Sequence, residues 1–218
     1  MDFQFDAYKL RAQRLEDDDE DEDEEEPKGK KPKDEENGGG AKLEEKILET
    51  RTILLFGEIS QKSAREVCQK LILLAALNSD PIKLIINSQG GHVEAGDTIH
   101  DMIRFVKPKV KILGTGWVAS AGALIYASVP VEQRFSLQNT RYMLHQPSGG
   151  VGGQATDISI EAQEILKMRD RLNNLFARQT GQPVERIEKD TDRNFWMSAE
   201  EAKQYGLVGK IITAQVDY

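Results

Sequence analysis

Residues 83–113 read KLIINSQGGHVEAGDTIHDMIRFVKPKVKIL. The apolar run 83–86 predicts a buried strand, and the glycines at its end predict a turn. A helix is predicted next, because apolar residues recur at helical spacing: Ala95, Ile99, Met102 and Phe105. Residues 110–113 predict a second strand. A strand, a helix and a strand in this order favour a parallel crossover, so the predicted fold class is α/β.

The same alternation continues on the N-terminal side of this stretch. Residues 52–56 (TILLF) predict a buried strand that ends at Gly57. Ser63 and Glu66 form an S-x-x-E capping box, which predicts the start of a helix. The helix is indicated by apolar residues at helical spacing, namely Ala64, Val67, Leu71, Leu74 and Ala75. We therefore expect a further strand–helix unit before the first.

The C-terminal half predicts short strands and one long helix. Residues 134–137 and 142–145 are typical of short strands. Residues 158–178 carry one apolar face and predict a helix of about 30 Å at a rise of about 1.5 Å per residue. This helix is either a core helix or an arm that finds its apolar partner in another subunit. A last helix begins with a capping box at 198–201 and ends at Gly206.

Charge divides the chain into two parts. Residues 1–40 carry 16 acidic and 7 basic side chains, whereas the remainder carries 21 and 22. The acidic run has little to bury and repels itself, so we expect residues 1–42 to be a disordered acidic segment and 43–218 to be one folded domain. The nearly neutral domain has no basic stripe, which argues against nucleic acid as a partner.

Composition also excludes several classes of protein. No apolar run approaches the length of about 18 residues that a membrane span needs, and the first residues do not resemble a secretory signal. The single cysteine, Cys68, cannot form an intrachain disulfide and is expected to be a small buried side chain. No cluster has the spacing of metal ligands, so we expect no metal or cofactor. The cysteine count, the apolar runs and the first residues together lead us to expect the cytoplasm as the compartment.

Ser120 is a candidate nucleophile. It lies in GTGWVASAGA, residues 114–123, where a buried strand gives way to a helix. Its small neighbours Ala119 and Ala121 allow a substrate backbone to approach closely. The G-x-S-x-G pattern of a nucleophile elbow is not met, because the residue two positions before Ser120 is Val118 and not glycine. A serine at such a turn is commonly just a helix cap, so the segment alone leaves both interpretations open.

A serine hydroxyl needs a base, and the chain offers only His92, His100 and His145. His100 lies within a helical pattern. His92 follows the glycine turn and is therefore near any site there. His145 ends a predicted strand before Gln146, a position where side chains commonly face a cleft.

Three segments together resemble the proteolytic subunit of the ATP-dependent Clp protease. They are INSQGG at 86–91, ASAGA at 119–123 and MLHQPSGGVGGQATDI at 143–158. Their spacing fits the family too, and the likeness extends from about residue 47 to 213. The resemblance implies the crotonase-like ββα spiral. It also implies that about 146–180 form a projecting helix–strand handle that interlocks two seven-membered rings.

The resemblance also implies roles for particular residues. Ser120 is expected to be the nucleophile and His145 the general base, with the backbone N–H groups of Gly91 and Ala121 as the oxyanion hole. The family's third triad residue is an aspartate, and Asn194 stands at that position. An asparagine can accept a hydrogen bond from the histidine but places no negative charge beside it.

Two aspartates offer an alternative to Asn194 as the partner of His145. Asp190 and Asp192 are close in sequence, and a local shift would bring one of them to the imidazole. A smaller departure from the family is Gln89, which replaces a proline in the family's INSPGG. It loosens the turn but leaves the Gly91 donor in place.

The implied activity is that of a serine endopeptidase subunit. It degrades unfolded polypeptides inside a chamber of two stacked heptamers, to which an AAA+ unfoldase delivers extended chains. Because of Asn194, turnover is expected to be low. One alternative is a weakly active or inactive subunit that assembles with an active paralogue. The other is a crotonase-type acyl-CoA enzyme, in which Ser120 and His145 would have no purpose.

Overall fold

The computed structural model describes residues 37–150 and 152–218. The acidic run of the predicted tail lies outside these residues, so its disorder stays a prediction. The first described helix begins at Asn37, inside the segment 1–42 that we expected to be disordered. Leu48, near the end of this helix, packs against the main apolar core. Within the described residues, no helix is both long and apolar enough to cross a membrane.

The described elements alternate between strands and helices for most of the chain. In order they are α1 (Asn37–Glu49), β1 (Thr52–Ile59), α2 (Gln61–Leu77), β2 (Ile82–Gly91), α3 (Val93–Phe105), β3 (Val110–Ala119), α4 (Ala121–Tyr126), β4 (Arg134–Leu137), β5 (Arg141–Leu144), α5 (Ala155–Thr180), α6 (Val184–Thr191), β6 (Phe195–Ser198), α7 (Ala199–Tyr205) and β7 (Lys210–Ile212). Short 3₁₀ turns occupy Val131–Gln133 and Gln215–Asp217.

The strands form one branched sheet. Strands β1, β2, β3, β4 and β7 are parallel neighbours in that order, which confirms the predicted parallel α/β architecture. The long strand β3 has two partners: its first half pairs with β4 and its last residues, Trp117 to Ala119, pair with β5. Strand β6 then pairs antiparallel with β5. The branch therefore places the end of β3 beside the ends of β5 and β6.

Strands β1 and β2 are longer than the sequence predicted. The glycines at 90 and 91 do not form a separate turn but belong to β2, with φ angles of 101° and 150°. They pair with Glu58 and Ile59 of β1, just after a register shift between Phe56 and Glu58. Positive φ angles of this size favour glycine, so the strand can continue where another residue would be strained.

The structure corrects one predicted helix start and confirms another. Helix α2 is capped by Ser60, whose side chain accepts a hydrogen bond from the Ser63 backbone N–H. In turn, the Ser60 backbone N–H donates to the Ser63 hydroxyl. The predicted pairing of Ser63 with Glu66 was therefore wrong, because the helix begins three residues earlier. The capping box of Ser198 with Glu201 is present as predicted.

Helix α5 is a core helix over only part of its length, and its partner in another subunit stays a prediction. It has 26 residues, or about 39 Å at the helical rise. Residues 155–164 are all exposed, whereas Leu172, Leu175 and Phe176 in the second half are buried in the core. The exposed half also leaves Ile158 and Ile160 in solvent. One half of α5 is thus a core helix and the other half projects.

Cys68 is buried on α2 and unpaired, as predicted. Burial raises the pKa of its thiol, which disfavours the reactive thiolate. Its role is therefore that of a small side chain in the core.

A buried arginine forms hydrogen bonds with the ends of several structural elements. Arg134, at the start of β4, is 1% exposed. Its guanidinium donates to the carbonyl oxygens of Val129 at 2.8 Å, Gln179 at 2.9 Å and Leu207 at 3.4 Å. It also donates to Ala127 O at the C-terminal end of α4. Burial lowers its pKa to about 10, so it stays charged at neutral pH. The residue therefore joins the end of α4 to the end of α5.

We expect Arg134→Met to lower the free energy of unfolding by about 3 kcal/mol, since several buried carbonyl groups would lose their donor. The free energy of unfolding of Arg134→Lys should lie between those of Arg134→Met and the unchanged protein, because lysine keeps the charge but not the planar guanidinium. Urea denaturation followed by circular dichroism measures both. Arg65→Met, at an exposed position on α2, is the control and should change stability little. A loss below about 1 kcal/mol in Arg134→Met would contradict the bridging role.

Candidate active site

Ser120 lies between β3 and α4 in a strained backbone conformation. Its φ and ψ angles are 55° and −123°. Arg51 is the only other described non-glycine residue with a positive φ. Such conformations cost roughly 1–3 kcal/mol and persist only where the surroundings impose them. The chain turns sharply at this residue, as in a nucleophile elbow, although the sequence lacks the glycine pattern that would predict such a turn.

Backbone hydrogen bonds impose this conformation on Ser120. Its N–H donates to Met143 O on β5 at 2.9 Å. Its carbonyl oxygen accepts from the N–H groups of Ala123 at 2.9 Å and Leu124 at 3.2 Å, in the first turn of α4. The serine is thus fixed to β5 on one side and to its own helix on the other.

The glycines of β2 make room for Ser120. A Cβ atom added to Gly90 would lie 2.6 Å from Ser120 Cβ and 2.9 Å from Ala119 O. Ser88 fixes this segment, since its hydroxyl donates to Gly57 O at 2.6 Å and accepts from Gly90 N at 3.0 Å. These bonds hold the strand in place despite the glutamine at 89, where the family has proline.

Three side chains predicted from the resemblance form one hydrogen-bonded row. Ser120 Oγ lies 2.7 Å from His145 Nε2, and His145 Nδ1 lies 3.2 Å from Asn194 Oδ1. With the ring proton on Nδ1, the histidine donates to Asn194 and its Nε2 is free to accept from the serine hydroxyl. This order of donors and acceptors is the one in which an imidazole can draw a proton from a hydroxyl.

The other two histidines lie outside this row. The side chain of His92 is 70% exposed at the start of α3, with Nδ1 3.6 Å from Glu94 Oε2. His100 is buried within α3, and its Nδ1 lies 2.9 Å from Asp101 Oδ1.

The two alternative aspartates also have other partners. Asp190 accepts a hydrogen bond from the Tyr205 hydroxyl at 2.9 Å, and it pairs with Arg186 at 3.4 Å. Burial, and then the neighbouring Asp190, raise the pKa of Tyr205. The Asp192 carboxylate lies 3.4 Å from Gln146 Nε2. Neither carboxylate occupies the position beside His145 that Asn194 holds.

The two predicted oxyanion donors lie one residue away from Ser120 and from the glycine that contacts it. Ala121 is the first residue of α4, where a backbone N–H has no acceptor within its own helix. Gly91 ends β2, next to the glycine that contacts Ser120. A Cβ atom at Gly91 would overlap Ile59 O, so the backbone there is closely packed against β1.

Two open cavities meet next to the row. One, of about 590 Å³, is lined by His145, Asn194 and Asp192 among others. The other, of about 330 Å³, is lined by Gly91, His92 and neighbouring residues. Both include residues 147–149, which follow the histidine.

Within the described part of the chain, no group of histidine, cysteine and carboxylate side chains is placed to hold a metal ion.

A family model described as Clp protease matches residues 35–215. The chain belongs to the Clp protease family. Membership confirms the resemblance that three sequence motifs indicated. It also makes the chain a proteolytic subunit of the Clp system, and therefore a peptidase.

Relatives in this family are similar over most of their length. The "ATP-dependent Clp protease proteolytic subunit 3" of Rhizobium johnstonii is 56% identical over 178 residues, which is 82% of this chain and 92% of the relative. Subunit 2 of Pseudomonas aeruginosa is 53% identical over 176 residues, or 81% of this chain and 88% of the relative.

Solved Clp protease structures share the fold. An asparagine-to-aspartate mutant of ClpP1 from Listeria monocytogenes superposes with a TM-score of 0.75 at 57% identity, covering 80% of this chain and 98% of that one. ClpP1 from the same organism gives 0.73 at 56% identity, with the same coverage. The expected Clp-type fold is thereby confirmed.

The packing of Gly90 against Ser120 leads to a test. Gly90→Ala should slow the reaction of Ser120 with a fluorophosphonate about 100-fold, because a displacement of about 1 Å at a reacting group can cost that much. The rate is measured by following fluorescent labelling over time. Gly150→Ala is the control, since a Cβ atom there meets nothing within 4 Å. Equal labelling rates in the two variants would show that the contact does not position Ser120.

Proposed function

We propose that the chain is a Clp-type serine endopeptidase subunit that cleaves unfolded polypeptides. The observation that carries this proposal is the 2.7 Å distance between Ser120 Oγ and His145 Nε2. Ser120 stands in a strained conformation at a strand–helix junction, and its partner His145 lines an open cavity. A serine that served only as a helix cap would need neither this strain nor a histidine.

Ser120 Oγ attacks the carbonyl carbon of the scissile peptide in the proposed mechanism. His145 Nε2 takes the hydroxyl proton and later gives it to the leaving amine. The N–H groups of Gly91 and Ala121 donate to the oxyanion of the tetrahedral intermediate, where a single donor is worth about 3 kcal/mol in serine peptidases. Water then hydrolyses the acyl-enzyme by the same route.

Asn194 orients His145 but does not stabilise its charge. Its Oδ1 accepts from Nδ1, which selects the tautomer that leaves Nε2 free for the serine. A neutral amide adds no attraction for the imidazolium that forms during attack. Hydrogen bonds to charged groups are roughly twice as strong as neutral ones, so turnover is expected to be low.

The exposed half of α5 supports assembly of subunits. Ile158, Ile160 and Leu166 are 40–53% exposed there, which is typical of a surface that another chain covers. We propose two stacked heptamers joined through these helices, with an AAA+ unfoldase that supplies extended chains. The expected compartment is the cytoplasm.

A second candidate function is favoured by Asn194 itself. A subunit without the charged third residue can contribute walls to a mixed particle while an active paralogue supplies most of the catalysis. Assembly without labelling of Ser120, followed by labelling after mixing with a second subunit, would favour this function. A crotonase-type acyl-CoA enzyme is disfavoured, because it would leave the Ser120–His145 bond without a purpose.

A fluorophosphonate should label the full-length chain at Ser120. Ser120→Ala is expected to abolish labelling and peptide hydrolysis together, since the hydroxyl is the reacting group. Mass spectrometry of the labelled peptide identifies the site. Ser148→Ala, an exposed serine in the lining of the adjacent cavities, should keep both activities. Labelling that persists in Ser120→Ala would sink the assignment.

Asn194→Asp should raise peptide turnover by about ten- to a hundredfold, because a carboxylate would stabilise the imidazolium by about 1.5–3 kcal/mol. The value of kcat on a fluorogenic peptide measures the effect, with the oligomeric state checked by gel filtration. Asp192→Asn, the reverse exchange two residues away, should not raise turnover. An unchanged kcat in Asn194→Asp would mean that Asn194 is not the partner that orients His145.

A further inference from the structure

Strand β3 contains a bulge at the point where the sheet branches. The ladder between β2 and β3 pairs Ile86 with Gly114, and its next pair is Ser88 with Val118. Residues 115–117 of β3 therefore lie opposite a single residue of β2. In the same interval β3 loses β4 as its neighbour and gains β5. Bulges of this kind bend a strand and redirect the side chains that follow.

The residue of β2 opposite the bulge is Asn87, and its side chain contacts the bulge directly. Its Oδ1 accepts a hydrogen bond from the backbone N–H of Trp117, with an N···O distance of 3.4 Å. A Cβ atom added to Gly116 would lie 2.8 Å from Oδ1, 3.0 Å from Cγ and 3.1 Å from Nδ2 of Asn87. Gly116 has a φ of 61°, a conformation that favours glycine. The amide thus packs against the one residue of the bulge that has no side chain.

Asn87 is itself held in place by β1. Its backbone pairs with Phe56 in the parallel ladder. The hydroxyl of the next residue, Ser88, donates to Gly57 O at 2.6 Å. Asn87 is half-buried between the two neighbouring strands. It is therefore a fixed point of β2 against which the bulge of β3 rests.

The bulge determines how β3 meets β5 just before Ser120. Ala119 pairs with Met143 of β5, and Ser120 N donates to Met143 O at 2.9 Å. Side chains alternate along a strand, so a slip of one residue would turn those of 117–119 to the opposite face of the sheet. The same slip would displace Ser120 relative to His145, which β5 carries at its end. The register at the bulge therefore sets the 2.7 Å distance between Ser120 Oγ and His145 Nε2.

We propose that Asn87 is a positioning residue for Ser120. Its amide supports the bulge at 115–117 and thereby fixes the register of β3 on β5. It acts through the backbone of Gly116 and Trp117 and not through the substrate. The inference rests on the proposed function, since it presupposes that Ser120 is the reacting residue.

Two exchanges of similar size in the full-length protein test the role of the Asn87 acceptor. Asn87→Leu removes the oxygen that accepts from Trp117. We expect it to lower kcat, and the rate of fluorophosphonate labelling at Ser120, about three- to tenfold, the value of one hydrogen bond. KM should change less than about twofold, because no substrate contact is lost. Asn87→Asp keeps an acceptor in the same place and should retain at least about half of the labelling rate.

A double-mutant cycle tests the contact between Asn87 and Gly116. Gly116→Ala places a methyl group against the amide and should slow labelling. The positive φ strains the alanine in any background. In the Asn87→Ala background the methyl group has room, so the same exchange should slow labelling at least about threefold less.

Each outcome of these measurements decides the inference. Asn174→Leu, at an exposed position on α5, is the matched control and should leave the labelling rate unchanged. Unchanged labelling in Asn87→Leu, or an equal loss in Asn87→Asp, would overturn the inference while leaving the proposed function intact. Additive effects of Gly116→Ala and Asn87→Ala, or a loss that only follows the unfolded fraction measured by circular dichroism, would also overturn it. Absent labelling in every variant and in the unchanged protein would overturn both.

Discussion

The backbone hydrogen bond from Ser120 N to Met143 O is the constraint on which the site depends. It joins the end of β3 to β5 where β3 has left its first partner, β4, and it holds the serine in a conformation that a free chain would avoid. Because β5 continues directly into His145, the bond also fixes where the imidazole begins. The branch in the sheet thus brings a strand–helix junction beside the end of a second strand.

Sequence reasoning reached the architecture and the chemistry by different routes. Apolar spacing was enough for the parallel α/β alternation, because buried strands and amphipathic helices are local patterns. Ser120 and His145 were candidates from their local sequence, but their roles and that of Asn194 came from the resemblance, because residues 25 and 49 apart in the chain are brought together only by the fold. The strain at Ser120 left no local trace, because the residue two positions before it is Val118 and not glycine.

Other features were beyond the reach of local patterns. Two overlapping cap patterns compete at the start of α2, and the choice of Ser60 over Ser63 depends on where β1 ends. The bond between Gln146 and Asp192 depends on how α6 ends, which the spacing of apolar residues does not specify. The sequence left open whether α5 is a core helix or an exposed arm, and only its packing against the core shows which half is buried and which is exposed.

A neutral amide at position 194 has a consequence for the conditions under which such a peptidase works. A carboxylate gains a proton in acid and then ceases to attract the imidazole, and dissolved ions screen it at an exposed position. An asparagine does not titrate, and a neutral hydrogen bond is nearly indifferent to ionic strength. In the proposed mechanism, the lower expected turnover is accompanied by a third residue whose interaction with His145 is nearly the same in dilute buffer and in concentrated salt.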